Sequence, residues 1–371
     1  MNILIAPNSM KGSLNAFDFA DIVEQAFLRY SKLFNVRKIP VADGGDFTGE
    51  VLKRKLKARE IILNVSGPLG DDTKSKYFLS EKTAIIEMAE ASGMKLIDTK
   101  QLNPMYATTY GTGQLINDAV KRGCNQIFLA IGGSATVDGG LGMMDALGFK
   151  FMDVNSKTLP GIGKNLVKIQ DVIQPENVAD VSIKIICDVD NPLLGVNGAA
   201  QVFGPQKGAT PEMVELLDKG LRNWSEIIEK KCGKNLAQVP GTGAAGGMAL
   251  PLLAFLNAEI VAGAEFVLAQ LDFENHVKWA DVVITGEGKI DGQTLNDKAP
   301  MAVARWTRKF NKPIFAIGGK TEPEASQPFD GMYSLVNGPM NLDFAIKNAR
   351  TLLSNISFEL AKTIHKLSFK E

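Results

Sequence analysis

Residues 281–294 read DVVITGEGKIDGQT, an apolar, β-branched run that ends in a turn crowded with glycine and charge. The first thirteen residues, MNILIAPNSMKGS, follow the same grammar. Each stretch predicts a strand that delivers a polar loop at its carboxyl end. Outward from 1–13, residues 15–30 carry Phe17, Ala20, Ile22 or Val23, Ala26 and Phe27 at helical spacing; residues 36–41 predict the next strand and 49–56 the next helix. Outward from 281–294, the alternation continues with a helix over 300–310, strands over 313–317 (PIFAI) and 332–336, and a long, broken helix over 342–367. Short strands alternating with helices predict a parallel sheet with right-handed crossovers.

The middle of the chain reads differently. Strand-like runs at 60–65, 76–79 and 83–88 follow one another with no helix between them, which predicts antiparallel or mixed pairing. Further strands at 126–131 and 182–187 and a helix over 211–231 come later. The expected architecture is α/β. Residues 1–60 and 277–371 form a discontinuous, doubly wound parallel-sheet domain, and residues 61–276 form a second α/β domain, with a mixed sheet, inserted into it.

Length and composition agree with two ordinary globular domains: 371 residues, 45% hydrophobic and 22% charged, with no net charge. A balanced charge argues against a general nucleic-acid grip, which requires a basic stripe, but not against a locally charged pocket. The most apolar stretch, 248–261, is interrupted by Pro251, Asn257 and Glu259, so no membrane span is expected. The first residues show no basic stretch or cleavage site, so no signal peptide is expected. Cys124, Cys187 and Cys232 are odd in number and far apart, as free thiols are in a reducing cytoplasm. The expectation is a cytoplasmic protein whose oligomeric state the sequence leaves open.

In an open parallel sheet, ligands gather outside the carboxyl ends of the strands. The loops expected there are 7–13 (PNSMKGS), 42–48 (ADGGDFT), 286–294 (GEGKIDGQT) and 318–320, and they carry Lys11, Asp43, Asp46, Glu287, Lys289, Asp291 and Lys320. The inserted domain contributes 132–140 (GGSATVDGG) and 188–195 (DVDNPLLG). Phosphoryl transfer needs this mixture. Amides and hydroxyls cradle phosphate oxygens, lysines offset charge, and carboxylates hold Mg²⁺ or take a proton. Asp188 and Asp190 stand two apart, on one side of an extended chain. Each glycine-rich loop taken alone also reads as plain structural punctuation, and Asp43 and Asp138 read equally as turn-closing residues.

Other chemistries find no support. There is no GxxxxGK[ST] loop. Residues 241–246 (GTGAAG) match a dinucleotide fingerprint, but they follow KNLAQVP rather than a strand. A tight loop opening a helix and facing phosphate is the better reading. The two histidines, His276 and His365, fall outside every glycine-rich loop, so an acidic residue is the expected general base.

At these loops the sequence resembles the bacterial glycerate kinases of the two-domain type. The resemblance rests on IAPNSMKGS (5–13), PVADGGDFT (40–48), IEMAEASGM (86–94), ATTYGTGQLI (107–116), IGGSATVDGG (131–140), CDVDNPLLG (187–195), VFGPQKGA (202–209), PGTGAAGGM (240–248) and VITGEGKIDGQT (283–294), in that order. It departs at Asn8, where the pattern has Asp, at DGGDFT for DGGEGT, at Val137 for Asn and at Lys289 for Arg. The resemblance implies ATP-dependent, Mg²⁺-assisted phosphorylation of D-glycerate, with 2-phosphoglycerate favoured, on a Rossmann/flavodoxin-like domain carrying an inserted α/β domain. The expected site lies in the cleft between the domains. Asp190 accepts the hydroxyl proton, with Asp43 as second choice. Lys11 or Lys289, with Ser134 and Thr136, holds the carboxylate, and Asp188 or Asp190 holds Mg²⁺. Ser9, Asn191, Gly243, Gly246, Gly286, Glu287 and Asp291 line the substrate or phosphates. A kinase of another small hydroxy or sugar acid, or a non-catalytic glycerate sensor, is the alternative.

Overall fold

The computed structural model describes residues 1–176, 180–292, 294 and 298–368. The chain opens on β1 (Asn2–Ile5), the helix Ala16–Tyr30 and β2 (Asn35–Lys38). The helix starts where Asn15, in extended conformation, accepts the N–H of Asp18 at 2.8 Å. That bond satisfies one of the four amides a helix start leaves without a partner. The stripe Phe19, Ile22, Val23, Ala26 and Phe27 is buried, each larger side chain contributing roughly 1.5–3 kcal/mol of apolar transfer.

Residues 44–261 then build a second compact unit. Its strands are β3 (Arg59–Ser66), β4 (Asp72–Ser80), β5 (Thr83–Glu87), β6 (Gln126–Ala130), β7 (Lys150–Met152), β8 (Thr158–Leu159), β9 (Asp171–Ile173), β10 (Ser182–Cys187) and β11 (Asn257–Ala262). Six of them form one sheet in the order β11-β10-β6-β5-β4-β3. Tight turns join β3, β4 and β5, which pair antiparallel. The helix Tyr110–Lys121 intervenes between β5 and β6, and these strands pair parallel, as β6 and β10 do. A small antiparallel sheet, β8-β7-β9, stands apart. The unit's core includes Trp224, from the helix Pro211–Cys232, which is fully buried, packs edge-on to Phe151 at 5.5 Å and donates from Nε1 to the Gly139 carbonyl at 3.1 Å.

The first unit resumes at Ala262. There β12 (Val282–Ile290), β13 (Ile314–Thr321) and β14 (Gly331–Ser334) complete a wholly parallel sheet in the order β14-β13-β12-β1-β2. Counted within this unit, the order is the flavodoxin-like one, with its switch point between β1 and β12. The helix Ala16–Tyr30 packs on the helix Ala349–Ser368 over a core of Ile3, Ile5, Phe19, Phe27, Ile284 and Leu353.

Two of the expected loops are partly strand. β12 runs on through Gly286 to Ile290 and β13 through Gly318 to Thr321, with Lys289 opposite Lys320. Gly286 permits this, because a Cβ there would lie 2.1 Å from the Ile317 carbonyl oxygen. The last helical stretch divides at Asn348 into Leu342–Lys347 and Ala349–Ser368. The units change over at 43/44 and 261/262, earlier in the chain than the expected 60/61 and 276/277. The helix Thr48–Leu56 goes with the second unit, where it packs on β4 and β5.

Candidate active site

In the first unit, the segments leaving β1 and β12 flank the switch point. Asn8 ties them together. Its N–H donates to the Gly286 carbonyl at 2.8 Å, its Oδ1 accepts the Ser9 N–H at 2.8 Å, and its Nδ2 donates to Asp43 Oδ2 at 3.0 Å. Asn8 therefore orients Asp43, the carboxylate of the DGG turn. Glu287 is buried and its Oε1 accepts from Thr294 Oγ1 at 2.7 Å; the same hydroxyl accepts the Asp291 N–H at 3.0 Å. Burial pushes the Glu287 carboxyl up to about 7, with the Asp43 and Asp291 carboxylates adding to the effect. Lys289 is exposed and held by Asp291 at 2.6 Å and Glu322 at 3.3 Å, and the bond to Asp291 is the main cause of its raised pKa. Lys11 is exposed and, among the described residues, makes no ion pair.

In the second unit, β5, β6 and β10 run parallel and end on one edge. The Gly132 N–H donates to the Gly44 carbonyl at 3.1 Å, so Gly44 lies against the loop after β6. Glu87, at the end of β5, accepts the Gly49 N–H at 2.6 Å, and burial pushes its carboxyl up to about 7. Asp138 is completely buried and accepts four hydrogen bonds, from Thr109 N and Oγ1, Gly140 N and Gly142 N, at 2.7–3.1 Å. It pins the loop to the start of the helix Tyr110–Lys121. Burial nonetheless holds its pKa above the usual carboxylate range. Lys207 is also buried; its Nζ donates to Ser134 Oγ at 2.6 Å and to the Thr136 carbonyl at 2.7 Å. Burial lowers its ammonium to about 7, against the opposing pull of Asp138.

Beyond β10, Asp188 is half-buried and Asp190 exposed. Asn191 is committed to the loop itself: Nδ2 donates to the Asn197 carbonyl at 2.8 Å and its carbonyl accepts the Gly243 N–H at 2.9 Å. Gly246 has φ +69°, and a Cβ there would lie 2.1 Å from the Thr136 carbonyl oxygen. Gly243 and Gly246 thus pack loop 240–248 closely on its neighbours. Among the described residues no three His, Cys, Asp or Glu side chains gather closely enough to hold a metal by themselves. Two carboxylates suit Mg²⁺, which takes one or two from protein and completes its octahedron with water and phosphate oxygens.

The structure therefore gathers Ser9, Asp43, Gly286, Glu287 and Asp291 around Asn8 and Thr294 in one unit. In the other it brings Ser134 and Thr136 to Lys207, and Asn191 to Gly243. Glu87 and Lys207 were missed as candidates. Both stand inside motifs, IEMAEASGM and VFGPQKGA, which was the available signal.

Carboxylates, hydroxyls and lysines in loops after parallel strands are the parts that a phosphotransferase site uses. The chain matches the Glycerate kinase family over residues 3–365 and belongs to it; it is a kinase. It is 42% identical over 368 residues to a glycerate kinase of Halalkalibacterium halodurans, covering 97% of each chain. It is 38% identical over 374 residues to the glycerate 2-kinase of Escherichia coli K12, covering 98% of each. A crystal structure assigned as glycerate kinase 2 of Salmonella typhimurium LT2 superposes with a TM-score of 0.85 at 38% identity, covering 98% of both chains.

Proposed function

We propose that this enzyme transfers the γ-phosphoryl group of ATP to a hydroxyl of D-glycerate, with 2-phosphoglycerate the favoured product, in the cytoplasm. The observation that carries the reading is the match, over nearly the whole length, to relatives named glycerate kinase and glycerate 2-kinase. The donor groups support it. Lys11, without an ion pair among the described residues, offers the charge for an acceptor carboxylate or a phosphate; Lys289 already has two acidic partners. Ser134 and Thr136 add hydroxyls. Asp190 takes the hydroxyl proton, because it is exposed, whereas Asp43 already accepts from Asn8. Asp188 would be the residue to hold Mg²⁺, which, when bound, would supply charge neutralisation for phosphoryl transfer.

The test is ADP release when D-glycerate is added to the protein with Mg·ATP, with the phosphorylated oxygen assigned by phosphorus NMR. No ADP with D-glycerate, but turnover of another hydroxy or sugar acid, would replace the substrate. Tight D-glycerate binding without any ADP would replace the activity by a sensor role.

A further inference from the structure

The loop after β6 is backed by a buried lysine that no part of the proposed chemistry uses. Lys207 is 2% exposed. In its ammonium form, the one that prevails below about pH 7, the group has donors only, so it donates in both of its contacts, to Ser134 Oγ and to the Thr136 carbonyl. Ser134 Oγ must therefore accept, and its own proton is left for a different acceptor. Among the described residues Ser134 Oγ has no second partner. Two residues on, Thr136 Oγ1 is buried, and among the described residues it has no partner at all. The turn itself is rigidly tied: the Ala135 N–H donates to the Ser92 carbonyl at 2.9 Å and the Met94 N–H to the Gly133 carbonyl at 3.0 Å. A plug at this position needs no charge. An apolar side chain of similar volume is often as stable as a buried ion or more so. Below about pH 7 the ammonium is charged, and, bonded to Ser134 Oγ, it favours negative charge at that hydroxyl; an anion bound there would in turn hold the ammonium charged.

We infer that Lys207 is a positioning residue: by accepting its bond, Ser134 becomes a committed donor, and the 132–136 loop becomes a site for an oxyanion of the reactants. That oxyanion is a carboxylate of the acceptor or a phosphoryl oxygen of the donor. The inference rests on the kinase reading above.

The experiment uses the full chain, Lys207→Met, Ser134→Ala and the double variant. Calorimetric titration with D-glycerate and with inorganic phosphate reads binding without turnover, and steady-state kinetics follow. Wild type should bind at least one of the two. Each single variant should weaken that binding about tenfold or more, the scale of one charge-assisted hydrogen bond. The double variant should be no weaker than the worse single one, because Lys207 acts through Ser134. A rise in KM for D-glycerate alone assigns the carboxylate; a rise in KM for ATP, or a fall in kcat alone, assigns a phosphoryl oxygen. Losses that add in the double variant, or a wild type that binds neither anion, would overturn the inference. If Lys207→Met does not fold, Ser134→Ala decides it, since wild-type binding and kinetics in that variant sink the idea. A wild type that binds but does not phosphorylate D-glycerate overturns the kinase reading only, and leaves the binding arms in force.

Discussion

Glu287 shows what a single buried side chain does here. Its carboxyl sits at about 7 because burial disfavours the charged form. Between its ordinary value of 4.5 and about 7, the folded chain keeps a proton that the unfolded chain releases. Its contribution to stability is therefore full below pH 4.5 and is lost as pH rises through that window. Glu287→Gln should flatten this slope, by on the order of 2–3 kcal/mol between pH 5 and 7.5, checked by urea unfolding at both values. Part of the slope should survive, since Glu87 is raised in the same way. A slope unchanged by the substitution would show that Glu287 is ionised in the fold. Asp190→Asn should lower kcat by about a hundredfold or more if Asp190 is the base, read by coupled ADP detection; a kcat near wild type returns the role to Asp43. Lys11→Ala should lower kcat/KM about tenfold. Asp190 and Lys11 are candidates that the sequence offers, because charges in glycine-rich loops stand out. Lys207 and Glu87 were not, because a lysine or glutamate reads as a solvated charge until tertiary contacts remove its water.

At the scale of elements, the DGG turn delivers the helix Thr48–Leu56 through Phe47, which sits at φ +69°. That left-handed region costs a bulky side chain about 1–2 kcal/mol, and the ring is 39% exposed, so packing returns only part of it. Phe47→Gly, the residue of the family pattern, should be neutral to about 1 kcal/mol more stable, once glycine's added chain entropy is counted. Urea midpoints check this, and a clear destabilisation would mean that the ring has a packing role. Gly246→Ala should lose about 3 kcal/mol, because it meets both a left-handed backbone and the Thr136 carbonyl. Helix 15–30 and strands 2–6 and 182–187 were readable within a residue or two, because apolar period and capping residues are local signals. The extensions of β12 and β13 were not. Glycine and lysine are poor strand formers, and only the pairing of the two strands with each other makes them extend.

At the scale of the whole molecule, the two units have separate cores, one around Ile3, Phe19 and Leu353 and the other around Leu129, Phe151 and Trp224. Units with their own cores need not unfold together. Trp224 lies in the second unit, and Trp279 and Trp306 in the first. With both of the latter replaced by Phe, the urea curve from tryptophan fluorescence should not superimpose on the far-ultraviolet circular dichroism curve; coincidence would mean one cooperative structure. Among the described residues no helix is long and apolar enough to cross a membrane, in line with the interrupted run at 248–261. From the opening comparison of 281–294 with 1–13, the sequence by itself determined that two distant ends share one parallel sheet. It also determined that a mixed-sheet unit is inserted between them, since strand periodicity and loop composition are encoded residue by residue. Only the tertiary structure decided that 44–56 joins the second unit, that Asn8 holds Asp43, and that Lys207 stands behind Ser134. Those facts depend on which distant groups exclude water from one another, and no local pattern in the chain carries that information.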